Sequence, residues 1–573
     1  MEKFVEENRG ELKNQISKMG ASLDWSREAF TLDEKRSLAV RTAFKKMHDA
    51  GLIYRGTRVV NWDPKGQTTI SDDEIVYEER ASKLYTFKYS PDFPFAISTT
   101  RPETKLGDTA VAVHPDDKRY QEFVGKTYKL NFAGSNLEIK IVADTSVDPE
   151  FGTGALGVTP AHSQIDAEIA KRHGLPEIQV IDEYGKIKLP IEGLLGEKTI
   201  MAREGIVAWL KENNLLIKEE EVKQNVATAE RTGGIIEPMP KLQWFVAVDK
   251  PIEERSGKTL KTLMRETISE GKIKILPDRF EKVYFHWIDN LHDWNISRQI
   301  WYGHKIPAWY KDDKVFVGVE APDDKSWIED PDTLDTWFSS GLWTFSTLGW
   351  PEETRDLKTY HPTDVLETGY DILFFWVARM ILMSEFLLDE VPFKTVYLHG
   401  LVRNEKGEKL SKSLGNNVDP ISISEKYGTD ALRMALITGV GPGSDSKLGN
   451  DKLKAHKNFA NKLWNIARYV LSQENKGEVM EDLAEEFKEL KKTVTEDLDN
   501  YRFYLAAEKI YHYVWHRFAD KIIEESKGKE EHGATLHYIL ENSLKLLHPF
   551  MPFITEEIWS ELKKDNLLMI EPW

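Results

Sequence analysis

Residues 79 to 240 of this chain are written in short β-rich runs, among them FAISTT, TAVAVHP and IQVIDEYGKIKL, broken by Gly, Pro and Asp. Strand formers between turn formers at that spacing predict a strand-rich module with its own core. The flanks follow another pattern. From 1 to 78 it is mixed: the helical stretch KRSLAVRTAFKKMHDAGLIY stops at Gly51, and RVVNWD reads as a strand. From 241 to 445 aromatic-dense runs alternate with helical ones, as in an α/β layer with a mostly parallel sheet. From 446 to 573 the signal is helical. Phe459, Leu463, Ile466 and Val470 recur at helical spacing, as do Phe503, Ile510, Val514 and Phe518, so each stretch can bury one face in a bundle.

Composition removes several function classes. The chain of 573 residues contains no cysteine, which excludes disulfides, cysteine-ligated zinc, iron–sulfur clusters and thiol nucleophiles and fits a cytoplasmic protein. Its net charge of −18 argues against coating nucleic acid through global charge, because phosphate binding needs cations. A local basic face is still present: Lys452, Lys454, Lys457, Lys462 and Arg468 fall within 451 to 470. The most apolar run, ILFFWVARMILMSEFLL at 372 to 388, is interrupted by Arg379 and Glu385 and is too short to span a bilayer, so it predicts a buried helix and no membrane association.

One loop carries chemistry. GEKLSKSLGN, residues 407 to 416, places Lys409 and Lys412 three apart beside the hydroxyls of Ser411 and Ser413, with Gly407 and Gly415 allowing the backbone to bend. A departing phosphate accumulates negative charge, and ammonium groups placed there stabilise it without a protein nucleophile. A solvated turn has the same composition, so the loop alone leaves both readings open.

Its context resolves them by resemblance. The loop resembles the Lys-Met-Ser-Lys-Ser signature of class I aminoacyl-tRNA synthetases, with Leu410 in place of Met. Long stretches resemble the valyl-tRNA synthetase family in particular: GLIYRGTRVVNWDPKGQTTISDDE (51 to 74), STTRPETKLGDTAVAVHP (98 to 115), DWNISRQIWYGHKIPAWY (293 to 310), LDTWFSSGLWTFSTLGWP (334 to 351) and TGYDILFFWVARM (368 to 380). The resemblance implies a Rossmann-like catalytic domain, divided between 1–78 and 241–445, an inserted β-rich editing domain at 79–240 and an anticodon-binding bundle at 446–573. It implies ATP, magnesium, valine and tRNA(Val) as cofactors and partners, no resident metal and a monomer. Lys412 would steady the triphosphate and the leaving pyrophosphate, with Lys409, Ser411 and Ser413 in the same loop. Gly369 and Asp371 would hold the adenylate, and Trp337 and Ile372 would wall the valine side chain, which gives its pocket nothing to hydrogen-bond.

The same resemblance implies a hydrolytic second site. The family is itself a standard illustration of why proofreading is needed: an apolar pocket rejects threonine in favour of valine by only about 10²-fold, because the two are nearly the same shape. TTRPET supplies Thr100, Arg101 and Thr104, and GTGALGVTPAHSQID supplies Thr159 and Asp166, whose carboxylate would bind the ammonium of a misattached amino acid. His162 admits either a general-base or an orienting role. Many family members carry Lys where this chain has Gly157 and Asp where it has Ser163, so altered editing is expected.

Two further family features are absent from the sequence. No two of its 15 histidines stand three residues apart, so the His-x-Gly-His motif that completes the nucleotide site is missing, and the coiled-coil arm usual after the bundle is not found. These predict a synthetase truncated at both ends. Lys457, Lys462 and Arg468 are the expected tRNA contacts. A stand-alone editing hydrolase, a non-catalytic tRNA-binding remnant, and isoleucyl specificity are the competing expectations.

Overall fold

The computed structural model describes residues 2–71, 74–408, 410, 419–564 and 566–573. Lys409, Ser411, Lys412 and Ser413 lie outside the described residues.

Three parallel strands form one centre of the α/β body, in the order Lys274–Leu276, Phe393–His399, Thr363–Gly369. Parallel neighbours need a long crossover, usually a helix. Here it is the apolar run read from sequence, folded as a π-helical segment Leu373–Ala378 continuing into the α-helix Arg379–Leu387, and almost every side chain of the latter is buried. Ile275, Val396 and Leu398 of the strands and Met380, Ile381 and Met383 of the crossover share a core with Ala39, Ala43 and Phe44 of the helix Glu34–Asp49. No helix among the described residues is long and apolar enough to cross a membrane.

An antiparallel sheet shows how the β-rich insert is attached. Its order is Trp294–Asn295, Glu237–Val246, Ile53–Asp63, Thr68–Thr69, with Ile53 opposite Val246 and Trp62 opposite Glu237. Everything between these two long strands leaves and returns at one sheet. The exit is a ribbon in which Ile75–Phe87 pairs with Leu216–Ala229, so residue 79 falls inside a strand. Beyond it lies a four-stranded sheet, Thr127–Phe132, Ser135–Ala143, Ala110–Val113, Ala155–Val158, over a separate aromatic core that includes Phe87, Tyr89, Phe93 and Phe132.

Two local expectations need correction. IQVIDEYGKIKL is not a strand: its alternation buries Val180, Ile181 and Ile187 around a turn, and the pairing shrinks to isolated bridges, Ile181 to Ile187 and Lys186 to Lys198. The insert also holds helices Gln164–His173 and Thr199–Glu212, which a reading centred on strand formers passed over.

The C-terminal part is helical: Asn450–Leu471, Glu481–Asp499, Phe503–His512 running into the π-helical Tyr513–Ile523, Gly533–Leu547 and Pro552–Glu561. Phe459, Leu463, Ile466, Val470, Ile510, Val514 and Phe518 all enter its core, as the period of 3.6 demands. The bundle is fastened to the α/β body by Asp430, whose carboxylate accepts the backbone N–H groups of Ile554 (2.7 Å) and Phe553 (3.2 Å) at the first turn of the last helix.

Candidate active sites

The first site is a cavity of about 490 Å³ with Trp337, Phe374, Phe375, Trp287, Arg298 and Asp335 among its lining. Trp337 is presented by a one-turn helix, Thr336–Ser340, capped by Asp335, whose carboxylate accepts the Trp337 N–H at 3.2 Å. The other oxygen of Asp335 accepts Nη2 of Arg298 (2.9 Å) and the indole N–H of Trp294 (2.9 Å), all three residues being buried. Trp337 stacks on Phe375 with centroids 6.0 Å apart and planes at 28°. A buried ion pair that itself lines the cavity thus holds this aromatic wall, and its further hydrogen bonds help to offset the cost of burying it.

Ile372 is half-buried and begins the turn that delivers Phe374 and Phe375, but it is not itself on the lining. Gly369 and Asp371 stand at the carboxyl end of Thr363–Gly369, where ligands bind in open α/β sheets. A Cβ on Gly369 would lie 2.4 Å from Oδ1 of Asp371, so glycine there lets the exposed carboxylate fold back over the strand end. Part of the cavity lining comes from the insert, through Gln164, Glu168 and Lys171 of the helix Gln164–His173. The α/β body and the β-rich insert thus share one cleft.

The second site lies in the insert. Ser163 caps that same helix by accepting the N–H of Asp166 at 3.2 Å, and Asp166 accepts the N–H of Thr159 at 2.8 Å through Oδ2. Burial raises the Asp166 carboxyl above its usual range, against the pull of nearby Lys105. Thr159 donates its hydroxyl to Asp108 and accepts from Lys105 Nζ at 2.8 Å. Tyr89 donates to the other oxygen of Asp108. Serine at 163 is therefore a helix cap that orients Asp166.

Arg101 does not face this cluster with a free guanidinium. It pairs with Glu237 (2.5 Å) and Glu103 (3.2 Å), and Arg203 from the helix Thr199–Glu212 also holds Glu103 (2.7 Å). Thr104 is buried and donates to the carbonyl of Arg101 at 3.0 Å, while Thr100 is half-buried beside them. His162 settles the alternatives left open by sequence: its Nε2 accepts the N–H groups of Val180 (2.8 Å) and Ile181 (3.1 Å), which fixes Nδ1–H toward the carbonyl of Pro238 (3.0 Å). Burial, with Arg101 nearby, pushes this imidazole down to about 3. It orients the backbone and has no lone pair left for a water. Lys105, Asp108, Tyr89 and Glu237 were not singled out from sequence; the charged residues of RPETKLGD running straight into the apolar TAVAV are a signal for Lys105 and Asp108 alone.

On the bundle, the basic patch is partly occupied within the chain. Lys457 donates to the carbonyl of Lys426 (2.9 Å), Lys462 pairs with Asp520 (2.9 Å), and Lys452 donates to the carbonyl of Thr438 (2.7 Å). Arg468 is exposed. Among the described residues no three His, Asp or Glu side chains gather as metal ligands.

The sequence model of tRNA synthetases class I (I, L, M and V) matches residues 1–330 and 321–448, and that of the anticodon-binding domain of tRNA ligase matches 481–573. Solved structures agree in fold. A ternary complex of Agrobacterium radiobacter K84 LeuRS with tRNA and LeuAMS superimposes with TM-score 0.55 at 19% identity, covering 100% of this chain and 78% of that one. Mycobacterium tuberculosis methionyl-tRNA synthetase bound by methionyl-adenylate gives 0.55 at 15%, covering 97% and 80%. Fold and motifs together define a class I aminoacyl-tRNA synthetase, a class that uses ATP.

Relatives narrow this further. The valine–tRNA ligases of Geobacillus kaustophilus and Clostridium tetani are each 45% identical, over 100% and 98% of this chain and 67% and 66% of their own length. The chain belongs to the valine–tRNA ligase family, and it spans about two thirds of the length of the curated relatives it matches.

Proposed function

We propose that the chain carries out valine–tRNA ligase chemistry: activation of valine by ATP, transfer to tRNA(Val), and hydrolysis of threonine attached in error. The observation that carries this reading is the 45% identity to valine–tRNA ligases along the entire chain. The wall of Trp337 and Phe375 supports it, since a branched aliphatic side chain asks only for apolar, close-packed surface. Ile372, Gly369 and Asp371 are assigned to the amino acid and adenylate at the sheet end, and Lys409, Ser411, Lys412 and Ser413 to the phosphates. Magnesium would enter with the triphosphate, since that ion is commonly bound through substrate phosphates.

The proposed division follows the chain: a catalytic domain at 1–78 and 241–445, an editing domain at 79–240 and an anticodon-binding bundle at 446–573, acting as a cytoplasmic monomer. Thr100, Arg101, Thr104, Thr159 and Asp166 are assigned to editing. Arg101 and Thr104 would shape the pocket from its frame, whereas Asp166 would bind the substrate ammonium. Lys457, Lys462 and Arg468 are assigned to the tRNA backbone; Lys462 would have to exchange Asp520 for phosphate. Amino-acid-dependent exchange of pyrophosphate into ATP tests the synthetic half. Exchange that responds to valine and hardly to leucine or isoleucine is expected; exchange driven equally well by isoleucine would overturn the specificity.

A further inference from the structure

A lysine is buried where the insert can least afford an unpaired charge. Lys105 sits in the turn Pro102–Gly107, every residue of which is buried, and its own relative exposure is 5%. Nζ donates to the carbonyl of Gly157 (2.6 Å), to Thr159 Oγ1 (2.8 Å) and to Asp108 Oδ1 (3.3 Å). Three donors thus meet three acceptors, and the ammonium is fully satisfied. Position 157 has no space for a side chain of its own: a Cβ there would lie 2.5 Å from Asp108 Oδ2 and 2.6 Å from the Tyr89 hydroxyl. The cationic group beside this strand therefore comes from the neighbouring turn.

The charge count gives it a task. Asp108 and Asp166 are both buried, burial raises both carboxyls, and the charge of Asp166 raises Asp108 further through space. Two carboxylates in one dry pocket tend to share a proton unless a cation intervenes. The groups facing them are Lys105 and Thr159, with Tyr89 on Asp108 and Ser163 beside Asp166; Arg101 and Glu103 neutralise each other behind His162.

We propose that Lys105 is the positioning cation of the hydrolytic pocket, keeping Asp166 ionised for a substrate ammonium and fixing the Thr159 hydroxyl as an acceptor. Lys105 touches no substrate atom; it acts through these two side chains. With its proton committed to Asp108 and one lone pair to Lys105, Thr159 has a single lone pair left. A ligand hydroxyl can donate to it, and the methyl group of valine cannot. This inference rests on the editing role proposed above.

The test is threonyl-tRNA(Val) hydrolysis by the full chain across pH 5 to 8, with wild type, Lys105→Met and the double variant Lys105→Met/Asp108→Asn. In Lys105→Met the acid limb should move to higher pH by about one unit or more, because Asp166 then ionises later. KM should rise about tenfold or more, the loss expected when a charged contact fails in the ground state as well as in the transition state. Removing both partners restores the charge balance, so the double variant should return the acid limb toward wild type, which a packing role would not do. A Lys105→Met profile that superimposes on wild type, or a double variant no better than the single one, overturns the proposal. If Lys105→Met fails to fold, the double variant decides alone: an acid limb displaced as far as the single variant should show is contrary to it. Wild type inert toward threonyl-tRNA overturns the editing role and this inference with it, whereas an active wild type with an indifferent Lys105 removes this inference alone.

Discussion

Arg101 and Glu237 meet at 2.5 Å across the junction between the β-rich insert and the sheet that carries it. Glu237 is buried, and burial raises its carboxyl even with the guanidinium beside it. Since Arg101 also holds Glu103, a single side chain ties the pocket turn to the body of the enzyme. Replacing Arg101 by Met should lower stability by about 3–5 kcal/mol, the cost of leaving a buried charge uncompensated. Denaturant melts of Arg101→Met and of Arg101→Met/Glu237→Gln check this; the double variant should recover part of the loss.

Asp335 links Trp337 to Arg298 and Trp294, which line the same cavity. Asp335→Ala should destabilise the chain by about 3 kcal/mol, because it strands the Arg298 guanidinium. It should also raise the valine concentration needed for pyrophosphate exchange, since Trp337 loses the cap that fixes its helix. Both effects are read by a melt and a valine titration on the same preparation.

Three buried imidazoles make the fold sensitive to mild acid. His162 is pushed down to about 3 and His304 and His456 to about 4, in each case first by burial. Below the ordinary value of 6.5 the unfolded rings bind protons that the native rings refuse. Their contribution is therefore complete above about pH 6.5 and is lost as pH falls toward the native values, by about 1.4 kcal/mol per pH unit for each ring. Comparing pH 7 with pH 5, the wild type should lose about 2 kcal/mol more than His162→Gln, which no longer titrates there.

Asp430 accepts two N–H groups at the start of Pro552–Glu561, the residue's carboxyl being raised by burial against those bonds. Asp430→Ala should cost about 0.5–2 kcal/mol, the range for a lost helix cap. The loss should appear in the unfolding of the bundle, followed by proteolysis near its last helix.

What the sequence made legible was what depends on period. The faces of Phe459, Leu463, Ile466 and Val470 and the buried crossover at 373–387 follow directly from spacing. IQVIDEYGKIKL misled because apolar alternation is equally good at burying the two sides of a turn, as Ile181 and Ile187 do. The Lys105 cluster was out of reach for a different reason. It gathers residues 89, 105, 108, 157, 159 and 166, and only their convergence in space gives a lysine three acceptors. Thr159 and Asp166 meet through a backbone hydrogen bond, and Ile372 lies off the cavity that Trp337 lines.

On the proposed reading one chain holds two chemically separate sites. The direct measurement is a crossed assay of valine-dependent pyrophosphate exchange and threonyl-tRNA(Val) hydrolysis in Lys412→Ala and Asp166→Ala. Lys412→Ala should abolish exchange and leave hydrolysis intact, and Asp166→Ala should do the reverse; equal loss of both activities in either variant would contradict the account.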